Sequence, residues 1–316
     1  MASKTKKVKS VWSSDENTVN RYGKGFHWVE SSIVMQAINK KISGDTHKDW
    51  LTYACDKYLK QARGAYIGLS LGCGVGNLER QVQHLSIFRK LDAFDIADEA
   101  IKQAKKACRK EKLEINYQVV NLNRLQLKKK TYDVIFANSV LHHLKNLEHV
   151  INQMEEALVE DGLVIINEYI GPSQFQYTVK QISVMNDILN ILPEIYRKRV
   201  TDPNSLKPLF MPPSEKFMNN NDPSEAIRSS EIVSLLEKNF EVIEHKNFGG
   251  TILHMLLQDI VGNFNSEDTK DTSVLNLLIY FEEYLIKSKI ISSDFTFMVL
   301  KKKNLNLFQK FRQNFL

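Results

Sequence analysis

The stretch Ala65-Tyr-Ile-Gly-Leu-Ser-Leu-Gly-Cys-Gly-Val-Gly-Asn77 decides the fold of this chain. It begins with a short apolar run, which predicts a buried strand over 65–71. Three glycines follow at alternate positions, and a helix is predicted from Asn77 to about Gln83. Glycine lets backbone approach a ligand closely, and the first turn of a helix favours polar or anionic groups. The stretch therefore predicts a strand, a ligand-binding loop and a helix in succession.

The glycine spacing separates this loop from two other nucleotide-binding motifs. A dinucleotide site has G-x-G-x-x-G, and this chain has Asn77 where the third glycine would stand. A P-loop needs G-x-x-x-x-G-K-[ST], and no Lys follows the loop. The spacing therefore disfavours an NAD-dependent oxidoreductase and a P-loop nucleotidase.

Further apolar runs alternate with helical patterns along the chain. Strands are predicted at 90–95, 115–120, 132–137, 163–166, 240–245 and 295–300. Asp98 is predicted to cap the helix after the second strand, and Asp222-Pro-Ser-Glu225 is predicted to start another. The alternation predicts an α/β fold in which helices cover both faces of a seven-stranded, mostly parallel sheet.

Glycine and proline divide the chain into segments. No glycine occurs between Gly76 and Gly162, whereas all seven prolines fall between Pro172 and Pro223, which indicates an irregular insertion. We predict a basic tail and helical lid over 1–62, a ligand-binding core over 63–170, an inserted cap over 171–228, the C-terminal part of the core over 229–301 with a helical insertion at 251–290, and a basic tail over 302–316.

The net charge of +6 is concentrated at the two ends of the chain. Residues 1–10 hold four Lys, residues 301–316 hold four Lys and one Arg, and neither stretch holds an acidic residue. Solvated tails fit this distribution better than a basic groove, so nucleic acid is not an expected partner. No apolar stretch approaches the roughly 20 residues that cross a bilayer.

The cysteines indicate a reducing compartment. Cys55, Cys73 and Cys108 are odd in number and lack metal-ligand spacing. With no apolar signal segment in residues 1–10, the expectation is a cytoplasmic protein without a metal site. The sequence leaves the oligomeric state open.

Several motifs in order resemble the class I methyltransferase family, which uses S-adenosylmethionine (SAM). The family has an acidic residue, an apolar residue and G-x-G-x-G after its first strand; here Ser70 stands in the place of the acid. Ala137-Asn-Ser-Val-Leu-His-His-Leu144 resembles the family segment that flanks the transferred methyl group. The resemblance covers about Ala65 to Ile170 and implies a Rossmann-like core, SAM as cofactor and methyl transfer as activity. The wider pattern is similar to bacterial enzymes that methylate small molecules.

The resemblance also implies where SAM binds. The glycine loop would surround its methionine part, and Asp95 would accept hydrogen bonds from both ribose hydroxyls. Asn121 or Asn123 would lie near the adenine amine. The candidate cofactor-binding residues are Gly72, Cys73, Gly74, Gly76, Asn77, Asp95, Ile96, Asn121, Leu122, Asn123, Asn138 and Ser139.

Three residues are candidates for catalysis: His142, His143 and Glu168. A histidine with a pKa near 6.5 can remove a proton from a hydroxyl or ammonium group, although either histidine can instead pack or line the cofactor. Glu168 can bind or deprotonate the acceptor, or it can be a surface carboxylate. The candidate substrate-binding residues are His27, Trp28, Tyr169, Tyr177, Arg228 and His254, and the aromatic ones can alternatively form a small core.

The leading prediction is methyl transfer from SAM to an oxygen or nitrogen of a small molecule, because a large cap favours an enclosed acceptor. The enzyme would mainly align the acceptor with the activated methyl group and exclude water. The alternatives are an RNA or protein methyltransferase and a noncatalytic SAM-binding protein.

Overall fold

The computed structural model describes residues 25–303. The basic stretch at residues 1–10 and the C-terminal tail beyond Lys303 lie outside them. The strands are β1 (Tyr66–Leu71), β2 (Phe88–Asp95), β3 (Asn116–Val119), β4 (Tyr132–Asn138), β5 (Leu158–Tyr169), β6 (Phe240–Gly249) and β7 (Phe295–Lys302). The helices are α1 (Ser32–Ser43), α2 (Trp50–Tyr58), α3 (Asn77–His84), α4 (Asp98–Lys110), α5 (Leu147–Ala157), α6 (Val179–Ile191), α7 (Glu194–Arg197), α8 (Glu215–Asn221), α9 (Ile232–Asn239), α10 (Leu253–Leu257) and α11 (Thr269–Lys287).

The seven strands form one sheet in the order β3-β2-β1-β4-β5-β7-β6. Strands β1 to β5 pair in parallel, and β7 runs antiparallel to both β5 and β6. The prediction of a Rossmann-like, seven-stranded and mostly parallel sheet is confirmed.

The strand register brings the ends of four parallel strands to one edge of the sheet. Leu71 pairs with Phe94 on one side and with Ala137 on the other, and Ala137 pairs with Ile166. The residues that follow these positions leave the sheet side by side. Open α/β sheets bind ligands at this carboxyl edge, so the register determines where a site can form.

Alternating strand residues supply two hydrophobic layers, one on each face of the sheet. Ile135 packs with α5 and α9, whereas Val134 and Phe136 pack in a layer that contains residues of α1, α2 and α11. Successive side chains of a strand point to opposite faces, and both faces are covered here. This arrangement explains the unbroken apolar run from Val134 to Ala137 in β4.

Two predicted helix starts are wrong. Ala97 is the N-cap of α4, and Asp98 is its first helical residue. The Asp222 carboxylate accepts hydrogen bonds from the backbone N–H and the hydroxyl of Ser224, which closes a local turn, and the regular helix begins only at Ile232. Short polar side chains compete with helix formation in this way. Within residues 25–303, every helix is too short or too polar to cross a membrane.

Candidate active site

The glycine loop adopts a conformation that other residues disfavour. Gly72, Gly74 and Gly76 all have positive φ angles, of 68°, 51° and 81°. A Cβ atom at Gly72 would lie 2.4 Å from Val140 Cγ2, and one at Gly76 would lie 2.4 Å from Tyr117 Oη. A Cβ atom at Gly74 would have no heavy atom within 4 Å. Two of the glycines therefore allow close packing, and the third borders open space beside the loop.

Asp95 joins the glycine loop to the next helix. Its carboxylate accepts hydrogen bonds from the backbone N–H of Gly74 at 2.8 Å and from that of Ala97 at 2.8 Å. The N–H groups of Gly72 and Cys73 donate to the carbonyl of Phe94. These bonds hold Asp95 at the carboxyl edge, and each carboxylate oxygen has a further lone pair for a ligand hydroxyl.

β1 carries Ser70 where the family pattern has an acidic residue, but a buried carboxylate from α3 contacts this serine. Glu79 of α3 is fully buried and accepts a hydrogen bond from the hydroxyl of Ser70. Burial raises the pKa of Glu79 to about 7, although the bond from Ser70 opposes the shift. Its second oxygen has no hydrogen-bond partner among the described residues. The pair of Ser70 and Glu79 places an acid near the position that the family pattern gives to β1, and the sequence reading missed it.

The predicted adenine side forms a rim beside β3 and β4. The Asn121 side chain accepts from the N–H of Asn123, and Asn123 Oδ1 accepts from the N–H groups of Lys145 and Asn146. Leu122 is buried, and Ile96 is partly exposed. Asn77 directs its oxygen to Arg80, at 2.7 Å. These side chains stabilise the loops that border the edge.

Asn138 and Ser139 lie at the end of β4. The Asn138 oxygen accepts a hydrogen bond from the Asn167 amide at 2.9 Å, and the N–H of Ser139 donates to the carbonyl of Asn167. Ser139 has a φ of 51°, so the chain turns sharply away from the sheet there. The turn directs the next residues across the end of β5.

Glu168 is buried at the end of β5 and is only 1% exposed. Its carboxylate accepts from the N–H groups of Val140 at 2.9 Å and Leu141 at 2.6 Å, and it forms a short hydrogen bond with His142 Nδ1. It also accepts from the N–H of Tyr169. The reading of Glu168 as a surface carboxylate is wrong, because both of its oxygens are used inside the protein.

The two neighbouring histidines face a carboxylate of the cap. Glu225 lies 3.6 Å from His142 Nε2 and 3.9 Å from His143 Nδ1. Burial alone lowers the pKa of His142, but the charge and hydrogen bond of Glu168, with Glu225 and Asp222, raise it to about 9. Burial and the charge of His142 lower the pKa of His143. The proximity of Glu225 to the histidines could not be predicted, because Glu225 lies far along the chain from them.

An aromatic cluster adjoins His142 and contains four of the predicted substrate-binding residues. Tyr169 lies edge-on to His142 at a ring distance of 6.0 Å, and it contacts His254 at 6.1 Å. The other members are Trp28, Phe175, Tyr177 and Phe295, with ring distances to neighbouring members between 5.1 and 6.2 Å. Among the described residues, Tyr177 Oη and His254 Nδ1 are buried without a hydrogen-bond partner. Such atoms suit the polar group of a ligand.

Two predicted substrate-binding residues have other contacts. The guanidinium of Arg228 donates to Glu148 at 2.6 and 2.8 Å, to Glu231 and to the carbonyl of Lys145. His27 is the N-cap residue of a short 3₁₀ helix, and its ring lies edge-on to Phe26 at 4.9 Å. The contacts of Arg228 support a role in joining the cap to α5.

Two open surface clefts lie elsewhere. One of about 510 Å³ is lined by residues of α4, β2 and β3, and one of about 780 Å³ lies between α1 and α11. Neither is lined by the glycine loop, His142 or the aromatic cluster. The side chains of Tyr169 and Tyr177 are buried and that of His254 is half-buried, so an acceptor would reach the two tyrosines only after the cap moves.

Comparisons with known proteins agree with this geometry. Residues 69–166 match a family model described as a methyltransferase domain. Together with the sheet order and the glycine loop, the match defines a class I, SAM-dependent methyltransferase domain. The predicted membership of the class I methyltransferases and the predicted cofactor, SAM, are confirmed.

Individual relatives extend this result over part of the chain. Malonyl-[acyl-carrier protein] O-methyltransferase of Bacillus anthracis is 32% identical over 108 residues, which are 34% of this chain and 39% of that protein. N-terminal Xaa-Pro-Lys N-methyltransferase 1 of Xenopus tropicalis is 26% identical over 40% of this chain and 53% of its own length. The chain thus spans about half or less of these curated relatives. Geranyl diphosphate C-methyltransferase of Streptomyces coelicolor A3(2) shares the fold, with a TM-score of 0.53 at 9% identity over 95% of this chain and 97% of that one.

Proposed function

We propose that this chain transfers the methyl group of SAM to an oxygen or nitrogen of a small-molecule acceptor. The observation that carries the proposal is the position of the glycine loop and Asp95 at the same sheet edge as an enclosed aromatic cluster with unpartnered polar atoms. One part supplies a place for the cofactor, and the other supplies a place for the acceptor.

The cofactor would lie along the carboxyl edge of β1 and β2. Asp95 would accept hydrogen bonds from the ribose hydroxyls while it keeps its bonds to the backbone. The open side of Gly74 would receive the ligand. Glu79 would supply the negative charge that Ser70 lacks, because its buried second oxygen has no protein partner and the methionine part of SAM carries an ammonium group.

The acceptor would bind between the aromatic cluster and the two histidines. Ring faces suit an apolar ring or acyl chain, whereas Tyr177 Oη and His254 Nδ1 suit a hydroxyl, carboxyl or amine on that molecule. The cap backbone bonds to the same region, since Ile227 N–H donates to the carbonyl of His142 at 3.0 Å. Movement of the cap would admit the acceptor, and its return would exclude water.

Glu168 would act as a positioning residue. Its carboxylate accepts hydrogen bonds from three backbone N–H groups and from His142, so it has little capacity left to accept a proton from the acceptor. It fixes the loop that carries His142 beside Tyr169. The polar contact with the acceptor is assigned to His142 and His143.

The proposal is tested by incubating the full chain with SAM and measuring S-adenosylhomocysteine (SAH) by mass spectrometry. The acceptor sets are phenols, short carboxylic acids free and as thioesters of an acyl carrier protein, small amines, and peptides with an N-terminal Xaa-Pro-Lys. Turnover with a phenol, a free acid or an amine, lost in Asp95→Ala, supports the proposal. Turnover only with peptides would favour a protein methyltransferase, and SAM binding without turnover in any set would favour a noncatalytic protein.

A further inference from the structure

We infer that His142, His143 and Glu225 form a binding site for one divalent transition-metal ion. The site goes beyond the proposed methyl transfer and does not depend on it; when the site is occupied, the two histidines would contact an acceptor through the ion. No metal site was expected from the sequence. The fold brings the cap carboxylate to the histidine pair.

The three ligand atoms converge on one point. One nitrogen of each imidazole and one oxygen of Glu225 all lie within 4.8 Å of one another. Glu225 Oε1 lies 3.6 Å from His142 Nε2 and Glu225 Oε2 lies 3.9 Å from His143 Nδ1, and both separations are longer than hydrogen bonds. Ligands at about 2.0–2.2 Å from a common ion stand roughly 3–4 Å from each other, so only a small closure is needed.

Glu168 holds His142 in the orientation that a metal ligand requires. Its carboxylate bonds to Nδ1, which leaves Nε2 directed at Glu225. Metal-binding histidines almost always donate their other N–H to a carboxylate or carbonyl group in this manner. Three backbone N–H groups in turn fix the Glu168 carboxylate. The outer support of a metal ligand is therefore present and rigid.

The local charge also favours a cation. The carboxylates of Glu168, Glu225 and Asp222 all act electrostatically on both histidines. His142 is 8% exposed by its side chain, His143 17% and Glu225 23%, so solvent screens these charges only in part. Glu225 faces both imidazoles, so the pocket holds one anionic ligand beside two nitrogen donors.

The donor set indicates which ions fit. Two imidazole nitrogens and one carboxylate oxygen are typical of Zn²⁺, Fe²⁺ and Co²⁺ sites that keep open positions, whereas Mg²⁺ and Ca²⁺ prefer oxygen ligands. Tyr169 lies beside His142, so the open positions would face the aromatic cluster. An ion there would polarise an oxygen of a molecule bound in that cluster.

The test is calorimetric titration of the full, untagged and chelator-treated protein with Zn²⁺ alone. The variants Glu225→Gln and His143→Asn each remove one ligand with little change in size. Glu215→Gln in α8 and His245→Asn in β6 are matched controls, because both residues are exposed and lie in other elements. Circular dichroism and SAH affinity are measured for each variant, so that loss of the fold or of the cofactor site is seen separately.

We expect one Zn²⁺ per chain, binding weakened at least about tenfold in each ligand variant and unchanged in both controls. Mg²⁺ in excess should not displace the Zn²⁺. The site would be overturned if the wild-type chain did not bind Zn²⁺ stoichiometrically. It would also be overturned if folded Glu225→Gln and His143→Asn bound Zn²⁺ with the wild-type affinity. Either result can occur with SAH binding intact, so failure of this inference is distinct from failure of the proposed function.

Discussion

Glu168 and His142 are joined by a hydrogen bond between a buried carboxylate at the end of β5 and an imidazole on the loop after β4. The same carboxylate accepts from the N–H groups of Val140 and Leu141. One side chain therefore holds both the backbone and the imidazole of the loop that follows β4.

Glu168→Gln should destabilise the protein by about 1–3 kcal/mol, because an amide NH₂ group would face backbone N–H donors in a buried place. The free energy of unfolding in urea measures the change. Glu160→Gln, on the same strand but exposed, is the matched control. Equal stability of the two variants would contradict the assigned role of Glu168.

Gly72→Ala should mainly lower stability, whereas Gly74→Ala should mainly lower the affinity for SAH. A methyl group at Gly72 would clash with Val140. The free energy of unfolding should therefore fall by more than the roughly 1 kcal/mol that a positive φ costs. Gly74→Ala should keep its fold at about that cost but lose SAH affinity, because its methyl group would occupy the open side of the loop. Thermal unfolding and calorimetry measure the two effects. Wild-type affinity in Gly74→Ala would place the ligand elsewhere.

Glu79→Gln should weaken SAH binding about tenfold or more, or about 1.4 kcal/mol, because the amide lacks the charge that attracts an ammonium group. Affinity for 5′-methylthioadenosine, which has no ammonium group, should stay the same. Glu111→Gln, whose exposed carboxylate pairs with Arg80, is the matched control. An equal loss for both ligands would mean that Glu79 supports the loop only.

Stability should fall with acid in a manner that depends on His254. Burial, with the positive charges of His27, His142 and Lys207, lowers the pKa of His254 to about 3, below its usual 6.5. The neutral form is therefore favoured in the folded state, and its contribution is present above pH 6.5 and lost as the pH falls toward 3. Between about pH 7 and 5, protonation of His254 in the unfolded chain should lower the free energy of unfolding by about 2 kcal/mol.

The variant that tests this dependence is His254→Gln, with exposed His245→Gln as control. Between pH 7 and pH 5, the free energy of urea unfolding should fall less in His254→Gln than in the wild type and the control. An identical fall in the free energy of unfolding in all three proteins would contradict a His254 that stays neutral in the folded state.

The sheet and the glycine loop could be predicted because local patterns encode them: apolar runs, glycine spacing and an acid at the end of β2. The edge proposed to bind the cofactor follows from strand order alone. The Ser70–Glu79 pair was missed because the sequence shows which residue is absent from β1 but not which neighbour on α3 replaces it.

The place of Glu225 and the packing of the aromatic residues into one cluster could not be predicted from local patterns, for a different reason. Their positions depend on how the cap folds back over β4 and β5, and the turn at Asp222 that directs this path was misread as a helix start. The contact of Arg228 with Glu148 could not be predicted, because Glu148 lies on a distant helix.

The most direct test of the central claim is calorimetric titration of SAM and SAH into wild-type protein, Asp95→Ala and Glu99→Ala. Asp95 holds the predicted ribose position, whereas Glu99 is an exposed acid on α4 that pairs with Lys102. We predict micromolar binding to the wild type and to Glu99→Ala, and binding at least about tenfold weaker in a folded Asp95→Ala. A folded wild-type protein that binds neither ligand would contradict the account.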